Sequence, residues 1–306
     1  MIPSFNHDTQ IRKAQHATHL HYFPMTRICS TLFILISILA LLLAGAGCLQ
    51  EKHPPTVQEG PRHALMQPLL GAVAGTTQDT LDALDIAVSN SAGAIGTSGL
   101  FRPATDAILA DLVSFHPAVI SEITYDTNGT VRAAEPGSAK VIVGQSLLDQ
   151  EHVRQAIATR KPLMSEHFTL AQGGEGVAIA HPVFSRDGEF LGVVSTTFSP
   201  RALIAPAAGV AMAYAPFIFN VAQEDGKILY HPDPALVGKP TFNETTFARF
   251  PGILDLARRY STERSGYATF SFYRTGSDVV VEKETYWDTV SLHGTEWRVM
   301  VIAERG

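Results

Sequence analysis

The 306-residue chain has two cysteines, Cys29 and Cys48, both within its first fifty positions. Everything after Cys48 is therefore without a possible internal disulfide and without a thiol nucleophile, and must be held together by a buried core. Also missing are a Gly-x-Ser-x-Gly elbow, a His-Glu-x-x-His pair and a Gly-x-Gly-x-x-Gly turn, which set up hydrolytic, zinc-dependent and dinucleotide chemistry. His152, His167 and His181 are dispersed along the chain, so their spacing defines no zinc set. The expectation is a protein that is not an enzyme and carries no metal or cofactor. Positive charge is short as well: 20 basic against 28 acidic residues follow Cys48. That balance disfavours nucleic acid or anionic lipid as the main partner.

What is present begins with Arg27, followed by twenty uncharged residues from Ile28 to Gly47, and then Cys48. A basic flank, an apolar run and the small residues Ala44 to Gly47 are the parts of an export signal. The segment resembles a prokaryotic lipobox with Cys48 as the lipidation site, although Gly45 stands where that motif has an aliphatic residue. The run is also long enough to remain as an uncleaved membrane anchor. Both readings put the remainder at the extracytoplasmic face of the membrane. Upstream, Met1 to Pro24 carries His7, His16, His19 and His21 but no signal feature, and Met25-Thr-Arg has the form of a translation start. Two sequons, at Asn128 and Asn243, are compatible with surface glycosylation.

Residues 1–48 are thus assigned to export and 49–62 to a flexible tether rich in Pro, Gln, Glu and Lys. A helical pattern follows, with Leu65, Leu69, Val73, Leu81, Leu84 and Val88 at steps of three and four. With Pro68 in its first turn, Leu65 would precede the helix, which should end between Gly93 and Gly99. Pro103 should open a second helix bearing Ile108, Leu112 and Phe115. The period then becomes two residues. Strands are expected at 119–125 and 130–134 about an Asp-Thr-Asn-Gly turn, a helix at 149–159, and strands at 163–170, 176–184 and 190–198. After Pro206 the same order recurs: strands at 215–222 and 228–230, a helix at 250–260, and strands at 266–273, 279–290 and 297–303. The fold class is α+β, a long N-terminal helix leading into two antiparallel-sheet modules, the one at 63–204 expected to be membrane-distal and the one at 205–306 membrane-proximal.

Several runs carry a resemblance. They are Ile123-Thr-Tyr-Asp-Thr-Asn-Gly-Thr-Val, Val143-Gly-Gln-Ser and Ile179-Ala-His-Pro-Val-Phe-Ser-Arg-Asp-Gly in the first module. Glu224-Asp-Gly-Lys-Ile-Leu-Tyr-His-Pro-Asp-Pro and Leu292-His-Gly-Thr-Glu-Trp-Arg-Val belong to the second. With them the chain resembles the extracellular double Cache sensors, whose modules are PAS-like. That resemblance implies a small-molecule pocket between a sheet and its covering segments, filled by amino acids, organic acids or amines. It also implies an output domain beyond a transmembrane helix, and the sequence up to Gly306 has none, so any signal is expected to pass through a partner. The Arg-x-Trp-Tyr sequence of the family's amino-acid-binding versions is absent, which argues against a standard amino-acid ligand.

In the first module Tyr125, Arg154, His167 and His181 are the polar groups expected to face the cavity. Arg154 would clamp a carboxylate through a bidentate bond. In the second module Tyr230 and His231 either line a pocket, with Tyr267 and Tyr286, or shape the chain around Pro232 and Pro234. Trp287 and Trp297 read as core residues whose indole N–H groups need partners. The expected function is a membrane-tethered extracytoplasmic binding protein that presents its occupied form to a receptor or kinase. The alternatives are a solute-binding component serving a transporter, and a structural or adhesion lipoprotein with a filled pocket.

Overall fold

Helix α1 (Pro61–Ser98) buries His63, Met66, Leu70, Val73, Thr77, Leu81, Leu84, Val88, Ala92 and Ile95. These positions form a straight stripe along a rod that, at 38 residues, is roughly 57 Å long. The structure is a computed structural model that describes residues 60–305 apart from Arg102 and Asn243. The export segment with Cys48, the histidine-rich tract, residues 49–59 of the tether and the Asn243 of the second sequon lie outside the described residues. Among the described residues no helix is long and apolar enough to cross a membrane.

The start of α1 corrects the sequence reading. The helix opens at Pro61, Pro68 sits inside it, and Leu65 is a helical residue that is 53% exposed. Proline is tolerated there because its missing N–H leaves only the Ala64 carbonyl unpaired, and residues 64 and 68 face solvent. The buried stripe passes on the opposite side without interruption. Helix α2 (Pro103–Phe115) buries Leu109 and Leu112, whereas Phe115 is exposed at its end.

The distal module contains β1 (Val119–Asp126), β2 (Val131–Glu135), α3 (Glu151–Thr159), β3 (Leu163–Met164), β4 (Phe168–Thr169), β5 (Glu175–Phe184) and β6 (Phe190–Phe198). Its strands are antiparallel in the order β2-β1-β6-β5-β3, with β4 on β5. The expected strand at 163–170 is thus two short ones separated by Ser165 to His167. Helix α4 (Pro200–Tyr214) follows, and the division at 204/205 falls inside it. Its signal was Ser199-Pro200, because the Ser199 hydroxyl accepts from Ala202 N at 3.2 Å and Pro200 opens the helix.

The proximal module repeats the plan with β7 (Ile218–Gln223), β8 (Ile228–Tyr230), α5 (Glu244–Phe247), α6 (Pro251–Thr262), β9 (Gly266–Tyr273), β10 (Val280–Leu292) and β11 (Thr295–Glu304). The order is β8-β7-β11-β10-β9, again antiparallel. Each sheet turns one face to α1. Val177, Ile179 and Val183 of β5 and Val290, Leu292, Val299 and Val301 of β10 and β11 share one core cluster with the helix stripe. The opposite faces carry separate clusters under α3 and α6.

Both ends of α1 are fixed by specific contacts. At the start, Arg62 Nε lies 2.5 Å and His63 Nε2 lies 2.7 Å from the buried Glu284 carboxylate, and Arg62 Nη1 donates to the Glu304 carbonyl at 2.7 Å. At the far end Gly96 passes so close to β5 that a Cβ there would sit 2.2 Å from the Phe184 carbonyl oxygen. Gly96→Ala must therefore push helix and strand apart, and is expected to lower the unfolding free energy by about 1–3 kcal/mol. Gly93→Ala, at an exposed position with open space around it, should instead raise it by about 0.5–1 kcal/mol. Denaturant melts of the two variants give the comparison.

Candidate functional site

Strand alternation assembles the distal site. Ser121, Ile123 and Tyr125 project from the α3 side of β1, and the register sets Ser195 beside Ile123 and Thr197 beside Ser121 on β6. Ile142, Leu147 and Gln150 come down from the segment leading into α3, and His152 from its first turn. Phe168, Leu170, Ala171 and Gln172 close the remaining side. The enclosed space is about 20 Å³, room for a single water.

That small space is lined by polar and apolar groups together. The Tyr125 hydroxyl is buried with no hydrogen-bond partner, and burial pushes its phenol well above the usual value. His152 packs 4.2 Å from the Phe168 ring, and burial lowers its pKa to about 4, so it is neutral at physiological pH. Gln172 Nε2 donates to Ser121 Oγ at 2.9 Å and so latches the covering segment onto the sheet. That segment ends in Gly173 and Gly174, both at positive φ, where glycine bends at no steric cost.

The sequence-predicted residues are distributed as follows. Tyr125 lines the distal cavity. Arg154 lies on the exposed side of α3, where it bonds Glu151 and the Leu148 carbonyl. His167 sits at the seam between the modules: its backbone N–H donates to Gln223 Oε1 at 2.7 Å, and its buried Nδ1 has no partner. Desolvation lowers the pKa of that ring. His181 falls on the α1 face of β5 because Val177, Ile179 and Val183 have the same parity, and its Nε2 lies 2.6 Å from Asp85 Oδ1. The sequence reading missed Gln150, His152 and Gln172, although their place beside apolar Leu147, Phe168 and Leu170 in the covering segments was the available signal.

In the proximal module Tyr230 is buried in the core cluster beneath α1. His231 borders a cavity of about 400 Å³ with Asp233, Phe272, Tyr273, Arg274 and Lys283. His231 Nδ1 accepts from Asp233 N at 2.9 Å, and burial brings its pKa to about 4. Lys283 is 4% exposed, its Nζ lies 5.8 Å from the Phe272 ring centre, and burial lowers its pKa. Glu304 on the facing strand is engaged by Arg274 at 2.9 Å. Tyr267 and Tyr286 lie away from this cavity, against His63 and Glu284. Trp287 donates to the Glu263 carbonyl at 2.9 Å, while the buried Trp297 indole has no partner.

Residues 79–200 match the family described as HK/GC/Chemotaxis protein-like, sensor domain. Among solved structures the chain is similar to an extracellular ligand-binding receptor from Desulfohalobium retbaense, at 24% identity and a TM-score of 0.66. That match covers 78% of this chain and 40% of the receptor, so the chain spans less than half of that protein's length. The ligand-binding domain of the Pseudomonas aeruginosa amino-acid chemoreceptor PctB, in complex with L-Arg, matches at 19% identity and a TM-score of 0.59, covering 81% of this chain and 95% of the domain. The ligand-binding domain of the Pseudomonas fluorescens chemoreceptor CtaA, in complex with L-serine, matches at 16% identity and a TM-score of 0.55, covering 78% and 95%. No curated protein sequence matches the chain.

The orphan hydroxyl makes a direct prediction for the unliganded protein. Because a buried donor without a partner costs about 1–3 kcal/mol, Tyr125→Phe should melt at or above the temperature of the parent. A clear drop would show that the hydroxyl has a structural bond.

Proposed function

We propose that this chain, whose described residues have the double-Cache sensor fold, is an extracytoplasmic sensor that captures a small polar molecule in its distal module. In this reading residues 1–48 direct export, the tether of 49–62 gives way to α1 at Pro61, and the capturing module of 63–204 and the membrane-proximal one of 205–306 meet within α4. The chain is held at the membrane by a lipid on Cys48 or by the uncleaved apolar run, and signals through a partner receptor or kinase.

The observation that supports the reading is the Tyr125 hydroxyl, buried without a partner among Ser121, Gln150, Gln172, Ser195 and Thr197. A structural protein with a filled pocket would also show a space this small, but its lining would be apolar or fully bonded. Here a donor stands ready, and the segment ending at Gly173-Gly174 is the part that moves to admit a ligand. With Arg154 turned outward and bonded elsewhere, the distal lining is neutral. It suits hydroxyl, amide or amine groups better than a lone carboxylate.

A second reading has its own observation. The buried Lys283 ammonium at the 400 Å³ cavity suits a carboxylate-bearing ligand in the proximal module. Thermal shift of the full chain against a panel of amino acids, organic acids and amines separates the two sites. Distal capture predicts that the stabilisation by a ligand falls at least fivefold in Tyr125→Phe and persists in Lys283→Met. The reverse pattern places the ligand in the proximal cavity, and a panel without any shift removes both readings.

The anchor is tested separately. If Cys48 is lipidated, metabolic labelling with a fatty acid should mark the parent and not Cys48→Ser, and the variant should leave the membrane fraction. An unlabelled parent that stays in the membrane would point to the apolar run as the anchor.

A further inference from the structure

On the α1 side of the molecule, three parts of the chain meet at one oxygen. Asp85 Oδ1 of α1 lies 2.6 Å from Nε2 of His181 on β5 and 2.7 Å from Nε2 of His293 in the loop joining β10 and β11. The two imidazoles stand edge to face, 5.7 Å between centres, and the three ligand-type atoms lie within 4.8 Å of one another. Helix, distal module and proximal module each supply one group. No other group in the protein joins all three parts through nitrogen and carboxylate donors among the described residues.

We propose that Asp85, His181 and His293 form a binding site for a zinc-class divalent ion, which locks both modules to α1. Two imidazole nitrogens and one carboxylate oxygen are a donor set that favours Zn²⁺ and its neighbours over Mg²⁺ or Ca²⁺, which take oxygen ligands. The arrangement of the donors fits, because both imidazole Nε2 atoms already face the same Asp85 oxygen. His181 is fixed in the core at 6% exposure, while His293 and Asp85 keep side-chain exposures of 23% and 19%. This leaves a route for the ion and a place for a water as fourth ligand.

The backbone at His293 is an independent pointer. Its φ is 51°, and Gly294 after it is at 92°, which makes a two-residue hairpin loop of the kind that favours Asn-Gly or Gly-Gly. A histidine at the first position bears the steric penalty of the left-handed region, and what it gains is an imidazole aimed at Asp85. The hairpin is held in place separately, since Gln78 of α1 accepts from Ser291 N at 2.9 Å and donates to Ser291 O at 3.0 Å. Binding an ion at about 2.0–2.2 Å from each donor would replace the two N–H···O bonds, with each ring's remaining proton carried on Nδ1 and Nε2 left free to coordinate.

The test uses Zn²⁺ on the full chain after chelator treatment, with bound zinc measured after gel filtration and affinity by competition with a chromogenic chelator. Two variants are compared with the parent: His293→Gly, which suits the loop's positive φ, and Asp85→Asn, which keeps the shape. Because the N-terminal histidines are common to all three proteins, the readout is the difference between them. The expected result is one zinc fewer per chain, or at least tenfold weaker binding, in both variants, with a zinc-dependent rise in melting temperature only in the parent and no effect of Mg²⁺. Equal zinc content and equal thermal shift in parent and variants would overturn the site, as would parent affinity no better than millimolar.

Discussion

Both sheets depend on the same buried stripe of α1. Eleven positions from His63 to Ile95, Ala74 among them, face inward along that helix, and the side chains they meet come from β5 and β6 at one end and from β10 and β11 at the other. Burying each large apolar side chain is worth about 1.5–3 kcal/mol, so lifting either module from the helix would expose several such residues at once. A long amphipathic helix has little stability by itself, and here two sheets supply the surface it needs. The result is mutual: the helix covers one face of each sheet, and without it that face of each module would be left exposed.

That arrangement explains what was legible in the sequence. The two-residue periods and the Asp-Gly turns are local signals, and they located β1, β5, β6 and β8 to β11 within a few residues. Helix α4 was obscured by Pro206 and a run of alanines, even though Leu203, Ile204, Ala208 and Ala211 share a buried face against α1. The misplaced start of α1 has the same origin, because proline was read as a boundary where solvent exposure makes it tolerable. Side-chain partners were harder. Tyr125 was within reach because strand parity fixes its face, whereas Arg154 is on a short helix whose outer positions offer local carbonyls and acids. His181 meets Asp85 and His293 across separations of 96 and 112 positions, which no local pattern encodes.

The two cavities differ in the physics they would offer a ligand. In the distal module the space is small and neutral, so a ligand larger than a water would have to displace Phe168 to Gln172 and break the Gln172–Ser121 bond before it gained contacts. Its affinity is reduced by that opening, and its specificity is raised because each hydroxyl and amide released needs a new partner. The proximal cavity, at about 400 Å³, already has room for a small ligand, and Lys283 is already desolvated against Phe272. Electrostatic attraction there needs no opening step. A small distal site and a roomier proximal one therefore favour different ligand chemistries.

The covering segment of the distal site also marks where occupancy would be felt elsewhere. Immediately before Phe168, the backbone N–H of His167 donates to Gln223 at the end of β7, and the same Gln223 side chain bonds Glu166. Gln223 pairs across the sheet with Trp297 of β11, which packs in the core beneath α1. On the proposed reading, moving Phe168 to Gln172 pulls on this junction and so on the proximal sheet. A ligand changes the relation of the modules only by its differential affinity for two arrangements. Those arrangements differ in the contacts of the segment it displaces. On that reading His167 and Gln223, which line neither cavity, would be the residues through which distal occupancy reaches the proximal module.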